Sequence, residues 1–282
     1  MTNDNKILNC LVCKRSEGKQ IAQRRCVEIF ECSNCGITFA VGEERRSNVD
    51  TVIDTDPGFY ETARTGFNEQ LRLAKKFLPH RIQAYEKRLA SPCKRILEIG
   101  CGTGAYAKAF NELGLQYTAV ELDPEIAKFA HQNTQSNIVN IDFTKFESEE
   151  RFDVVFASQV FEHILEPDIF LKKVKDLAPG GLLHFDVPNH QSLIALIRKF
   201  TSKTEYGFIQ PPYHMIAYTP DTLSQRLKKN GFRDVQIWQL PNDHKTWGQL
   251  TTNSGFFHWI SYRVAQLMQR GSLLTAIAKI PE

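Results

Sequence analysis

Nine residues, ILEIGCGTG at 96–104, constrain this chain more than any others. A short apolar run carrying one acid ends in three glycines at alternate positions and is followed at once by AYAKAFNELG, whose apolar residues recur at helical spacing. Glycine takes backbone conformations that a side chain forbids and lets a ligand approach the main chain, so the turn is shaped for a ligand. The spacing is GxGxG, not the GxGxxG that seats a pyrophosphate at a helix N-terminus. Glu98, two residues before the first glycine, would repel phosphate and suits a cationic amino group.

Downstream the pattern repeats: YTAVEL, PEIAKFAHQN, NIVNID, FDVVFAS, PDIFLKKVKDL and GLLHFDV alternate short apolar runs with helical stretches. Strands alternating with helices predict right-handed βαβ units and a doubly wound, mostly parallel α/β sheet. The first three strands each end near an acid: Glu98, then Glu121 followed by Leu122, then Asp142 followed by Phe143. An acid after the second strand can take both hydroxyls of a ribose, and Asp142 with Phe143 is placed for an adenine ring. DTLSQRLKKNG reads as a further helix, DVQIWQL and LLTAIAKI as strands, and FFHWISYRVAQLMQRG as an amphipathic helix suited to core packing or to a second copy of the chain. Tyr60–Leu89 reads as two helices divided at Pro79.

The motifs ILEIGCGTG, AVELD, NIDF and FDVVFASQVFEHI occur in the order and at the intervals of the class I S-adenosylmethionine-dependent methyltransferases, which residues 60–282 resemble. The resemblance implies a seven-stranded Rossmann-like sheet. It implies that Glu98 helps place the methionine amino end of S-adenosyl-L-methionine, that Gly100, Cys101, Gly102 and Gly104 wrap it, that Glu121 and Leu122 meet the ribose and that Asp142 and Phe143 meet the adenine. Ser158, at the end of the fourth strand, joins this set.

After the fourth strand, QVFEHILEP brings Glu162 and His163 to where this family does its chemistry. His163 is one candidate base, because an imidazole titrates near neutrality; His214 is the other. Glu162 and His163 are also residue types that hold a divalent metal in some relatives acting on hydroxyls. His131 and His184 read as structural. Residues 188–218 resemble the substrate-capping insert of the small-molecule branch, read as an irregular lid in which Phe208, Tyr213, His214 and Tyr218 line an aromatic, partly polar pocket beside Glu162. The same insert holds QPPY at 210–213, one letter from a nucleobase-gripping tetrapeptide. That tetrapeptide directly follows the fourth strand, where this chain has ASQVFEH; QPPY follows the fifth.

The N-terminus carries a second signal. Cys10 and Cys13, then eighteen intervening residues, then Cys32 and Cys35 form two CxxC pairs with the spacing of a tetrahedral structural zinc site. A segment this short buries little core, and zinc supplies an apparent ~10–16 kcal/mol in finger-like peptides. Residues 1–42 therefore read as a zinc-ribbon-like module and 43–59 as a polar linker. Cys26, Cys93 and Cys101 fall outside the spacing and read as packing residues. Seven cysteines are an odd number for a disulfide framework.

Charge narrows the partners. Lys and Arg total 35 against 32 Asp and Glu, giving a net charge of +3 with the signs mixed along the chain, which counts against a phosphate backbone as ligand. No apolar run reaches bilayer length, and the N-terminus lacks the apolar core of a secretory signal. The expectation is a soluble, cytoplasmic methyltransferase of a small molecule, at oxygen, on a sugar, glycan precursor or natural product. The same residues leave two other functions open: an RNA methyltransferase whose zinc module reads RNA, and a cofactor-binding adaptor without turnover.

Overall fold

The computed structural model describes residues 7–24, 27–42, 57–210, 214–240, 267 and 270–282, and no side chains before residue 64 in the first helix. Cys26, Tyr213 and the expected helix at 256–271, apart from isolated positions, lie outside the described residues.

The larger unit starts with helix α1 (Pro57–Leu89). Its strands are β5 (Arg95–Ile99), β6 (Gln116–Glu121), β7 (Asn137–Asn140), β8 (Val154–Ser158), β9 (Leu182–Pro188), β11 (Arg233–Leu240) and β12 (Leu273–Lys279). Between them run α2 (Ala105–Glu112), α3 (Pro124–Thr134), α4 (Pro167–Leu177), α5 (Leu193–Thr201) and α6 (Pro220–Lys229). The seven strands lie in the order β11-β12-β9-β8-β5-β6-β7. β12 runs antiparallel to both of its neighbours, while the remaining pairs are parallel. This is the doubly wound, mostly parallel sheet expected from the alternating pattern, with the seven strands that the family resemblance implies.

Strand order decides where a ligand sits. From β5 the chain winds outward through β6 and β7, then returns to the other side of β5 for β8 and β9. The crevice at the C-terminal ends of β5 and β8 is thus the topological switch point, where open α/β sheets bind ligands. The glycine turn leaves β5 there, and QVFEH leaves β8 there. Alternate residues of each strand fill opposite faces: Leu97, Ile99, Val155, Ala157, Leu183 and Phe185 enter one buried cluster, and Ile96, Val154, Phe156 and Leu182 enter the other.

Three expectations are corrected. Tyr60–Leu89 is one helix, with Pro79 inside it. Leu71, Ala74, Leu78 and Tyr85 bury one face of α1 on both sides of the proline, and that packing carries the helix through a residue that removes one of its hydrogen bonds. The insert is not irregular throughout. α5 lies inside it, with Ser192 as N-cap accepting from the Ala195 amide. The linker is shorter than 43–59, because α1 begins at Pro57.

The smaller unit is an antiparallel sheet of β1 (Ile7–Leu8), β2 (Gly18–Arg24), β3 (Val27–Cys32) and β4 (Thr38–Gly42). It does not end at residue 42. Its fifth strand, β10 (Ile216–Ala217), comes from the insert and pairs with β4, Ile216 opposite Phe39 and Ala217 opposite Thr38. Cys10, Leu11, Val12, Phe30, Ile37 and Phe39 belong to the same buried cluster as Phe161, Phe185 and Tyr218. The two units share a core.

Candidate active site

The turn after β5 holds three glycines in the left-handed region. Gly100, Gly102 and Gly104 have φ of 69°, 52° and 81°. They serve different ends. A Cβ on Gly100 would stand 2.6 Å from Val160 Cγ2, and one on Gly104 would stand 3.1 Å from the Ala130 Cβ, so these two let the post-β8 loop and α3 close in. A Cβ on Gly102 would meet nothing within 4 Å; that glycine faces open space, as a ligand cradle requires. Cys101 is buried, its Sγ 3.7 Å from the Gly102 carbonyl oxygen.

Around this turn the predicted acids gather. Glu98 is fully buried and accepts a hydrogen bond from the Tyr117 hydroxyl; burial pushes its carboxyl up to about 8, against the pull of that hydroxyl. Glu121 accepts from the Gly102 amide at 2.9 Å and the Asp123 amide at 3.1 Å, which ties the end of β6 to the turn. Burial raises its pKa as well. Leu122 is partly exposed, and Asn140 bridges the Glu121 and Leu122 carbonyls at 2.8 and 2.9 Å. Asp142 caps a 3-10 turn, Phe143–Lys145, accepting from the amide and hydroxyl of Thr144 at 2.8 and 2.7 Å. Phe143 is buried against Phe170, with ring centroids 4.9 Å apart. Ser158 bonds the buried Asp186 carboxylate, which Thr275 Oγ1 also reaches at 2.6 Å.

Sequence reasoning missed Arg81. On α1 it shares a face with Leu78 and Tyr85, both fully buried. Its guanidinium lies 5.9 Å from the Phe156 ring centroid, with Tyr106, Tyr85 and Asp186 as charge neighbours. Among the described residues the buried Nη1 group has no hydrogen-bond partner. The signal was available: an arginine three residues after one buried residue and four before another stands on the inward face of its helix. His184, expected to be structural, is buried and bonded through Nδ1 to the Tyr85 hydroxyl. His131 likewise ties its Nδ1 to the Ser136 carbonyl at 3.0 Å.

On the other side of the crevice, Gln159 leaves β8 with φ 57°, a conformation that non-glycine residues adopt at a cost and that clusters at functional sites. It leads into a 3-10 turn, Phe161–His163. Phe161 anchors that turn, its ring 4.9 Å from Phe185, 5.1 Å from Tyr218 and 5.4 Å from Phe170. The anchor forces Glu162 inward. Among the described residues neither oxygen of its buried carboxylate has a hydrogen-bond partner, and burial pushes it up to about 8, with Asp186 adding repulsion.

His214 reaches the same place from the insert. Its Nε2 stands 3.9 Å from Glu162 Oε1, and its ring centroid 4.7 Å from that of His163. One donor atom from each of the three residues lies within 4.8 Å of the others. The His214 Nδ1 is 3.2 Å from the Phe208 carbonyl. A carbonyl only accepts, so Nδ1 carries the proton and Nε2 is left with its lone pair. Burial, reinforced by His163, pulls His214 down to about 3.

Two predicted pocket residues are placed differently. Phe208 turns its ring into α5 against Ile194 and Ala195, under the Arg198 guanidinium at 5.4 Å; its carbonyl, not its ring, meets His214. Tyr218 is fully buried against Phe161, and among the described residues its hydroxyl has no hydrogen-bond partner, with Arg226 and Glu162 as its charge neighbours.

The four cysteines converge. Sγ of Cys10 and Cys35 are 3.7 Å apart, and those of Cys13 and Cys32 are 3.6 Å apart. Four sulfurs at 2.3 Å from a tetrahedral zinc stand about 3.8 Å from one another, so the donor set fits that ion. The amides of Val12 and Cys13 point at Cys10 Sγ, at 3.4 and 3.5 Å, as hydrogen bonds to a thiolate.

The sheet order and the switch-point crevice are those of the Rossmann-like methyltransferase fold. Residues 67–237 match the family described as Methyltransferase domain, and the chain belongs to that family. It is 31% identical over 119 residues to a ubiquinone biosynthesis O-methyltransferase of Xanthomonas campestris pv. campestris, an alignment that covers 39% of this chain and 50% of that protein. The chain thus spans about half the length of the curated relatives it matches. Among solved structures, the plantazolicin methyltransferase BpumL in complex with SAH superposes with a TM-score of 0.54 at 20% identity, over 81% of this chain and 92% of that one. Haemonchus contortus phosphoethanolamine N-methyltransferase 2 with S-adenosyl-L-methionine superposes at 0.52 and 18% identity, over 87% and 62%. Among the described residues no helix is long and apolar enough to cross a membrane.

Proposed function

We propose that the protein is an S-adenosylmethionine-dependent methyltransferase that methylates an oxygen of a small-molecule acceptor. The observation that carries this reading is the pairing of two half-sites across one crevice: an open glycine cradle with buried acids on the β5 side, and Glu162, His163 and His214 on the β8 side. The resemblance to ubiquinone O-methyltransferases supports oxygen as the acceptor atom.

The cofactor would supply an electrophilic methyl on a sulfonium, next to a zwitterionic amino acid. Glu98 takes the ammonium. Arg81, with its unpartnered Nη1, takes the carboxylate, and Tyr106, whose hydroxyl feels both Arg81 and Glu98, stands between the two charges. Glu121 receives the ribose hydroxyls, Asp142 the adenine amino group.

On the acceptor side, His214 offers a lone pair at Nε2. A hydroxyl bound there would give its proton to the imidazole as its oxygen took up the electrophilic methyl that the cofactor would supply, the sulfur leaving as the neutral thioether. Glu162 stands 3.9 Å from that Nε2, where its ionised form would pair with the imidazolium, and His163 packs beside it. Orientation contributes ~7–11 kcal/mol to such a transfer, and a positioned base about a hundredfold to ten-thousandfold. The four cysteines would hold a structural zinc, filling its tetrahedral coordination with thiolates.

Label transfer from methyl-tritiated cofactor into fractionated cell extract tests the reading. Label is expected in small, nuclease-resistant material, in a bond stable to base as an ether is. Label in nuclease-sensitive material, or no transfer into any fraction by a protein that binds the cofactor, would count against it.

A further inference from the structure

The four-cysteine unit is built into the acceptor wall. The edge of β4 away from β3 carries β10, and the Ala40 amide donates to the Met215 carbonyl at 2.9 Å, one residue after His214. Met215, Ala217 and Ile209 bury their side chains among Val27, Ile29 and Ala40 of the unit. Arg24, at the end of β2, donates to the Lys199 carbonyl at 2.7 Å and the Glu205 carbonyl at 3.2 Å, and lies 5.4 Å over the Tyr206 ring. The second cysteine knuckle presses on α6, where a Cβ on Gly36 would stand 3.2 Å from the Thr222 methyl.

β10 has only two residues and forms the end of its sheet. A strand that short does not hold itself; it keeps its place through its neighbour. From the α/β side the chain is next gripped at Tyr218, by a bridge to Asn189 and by the His190 amide donating to its carbonyl at 2.9 Å. Gln210 brackets His214 with two backbone hydrogen bonds; among the described residues, the backbone of Met215–Ala217 pairs with β4, while the Ile216 side chain packs into the shared core. The cysteine unit in turn has little core of its own without its metal.

We propose that the four-cysteine metal site anchors the acceptor wall: metal at Cys10, Cys13, Cys32 and Cys35 fixes β4, β4 fixes β10, and β10 holds His214 over Glu162. The proposal rests on the acid-base reading of His214. It makes the metal a positioning element for a half-reaction whose cofactor half lies elsewhere.

The test compares the full chain loaded with zinc, the same chain stripped by a mercurial and a chelator, and the zinc-loaded Ala40→Pro variant, which lacks the amide hydrogen that Met215 accepts. Amide exchange read by mass spectrometry, and S-adenosylhomocysteine affinity read by calorimetry, need no acceptor. In the stripped protein and in the variant, the peptide carrying Met215–Ala217 is expected to exchange at least about tenfold faster. The peptide spanning 96–104 and the affinity are expected to change by less than about twofold. Unchanged exchange at Met215–Ala217 on stripping overturns the proposal, and so does an affinity lost in step with it, which makes the metal a prop for the whole fold. Turnover with the labelled acceptor fraction separates the two readings. A His214→Ala protein as fast as the wild type removes the acid-base reading, whereas stripping that slows His214→Ala as much as it slows the wild type removes the anchor alone.

Discussion

The two sides of the crevice are assembled by different means. The proposed cofactor side is local: Glu98, Gly100, Gly102 and Glu121 stand on two adjacent parallel strands and the turns that leave them, and the Glu121 carboxylate stitches those turns together through the Gly102 amide. The acceptor side is composite. Glu162 and His163 come from the end of β8, His214 from the insert, and the strand beside His214 belongs to a sheet that begins near the N-terminus. The proposed acceptor side thus depends on three side chains brought together from distant parts of the chain, and the cofactor side on neighbouring strand ends.

That difference predicts unequal mutations. His214→Ala should lower kcat by about a hundredfold to ten-thousandfold with cofactor affinity nearly unchanged, and His163→Ala should act in the same sense. Calorimetry showing lost cofactor binding in either variant would erase the division between the two sides. Arg81→Met should weaken the cofactor roughly a hundredfold, because a charge-assisted hydrogen bond and its buried partner are lost together, ~1.5–3 kcal/mol. Measured Kd values within twofold of wild type would take Arg81 off the cofactor. Glu121→Ala should weaken binding roughly tenfold, with kcat at saturating cofactor held; a fall in kcat alone would move Glu121 to the acceptor side.

The same contrast explains what could be read from the sequence. The glycine turn, the acids after successive strands and the cysteine pairs were legible because each is written in residues close together in sequence and fixed by one local geometry. Phe208 was assigned to the pocket by its ring, yet its ring packs against α5 and its carbonyl, not its ring, meets His214; sequence shows which side chain is present, not which way it turns. Pro79 was read as a break because propensity is local, whereas burial of Leu78 and Tyr85 on either side of it is not. The pairing of β4 with β10 joins residues far apart in the chain through a two-residue strand, too short to leave any periodicity. Arg81 was visible in principle, since its spacing places it on the buried face of α1.

The smallest expected effect belongs to Glu98, and it tests the cofactor side through protons. Burial raises its pKa from 4.5 to about 8 in the folded protein, so between those values the folded state holds a proton that the unfolded state has lost. Stability from this group is therefore fully present below pH 4.5 and is lost as pH rises through 8, at up to about 1.4 kcal/mol per pH unit. Glu162 shares the window, so the measurement is the difference between wild type and Glu98→Gln, whose chemical-denaturation stability should fall less steeply with pH. An ammonium brought to Glu98 reverses the preference and favours the carboxylate. Cofactor binding at pH 7 should then release up to one proton, and Kd should fall by at most about tenfold per pH unit until the carboxyl is ionised. Calorimetry in two buffers of different ionisation enthalpy reads that proton directly. Equal apparent enthalpies in both buffers would place the amino end of the cofactor away from Glu98, whereas a proton release that vanishes in Glu98→Gln would fix it there.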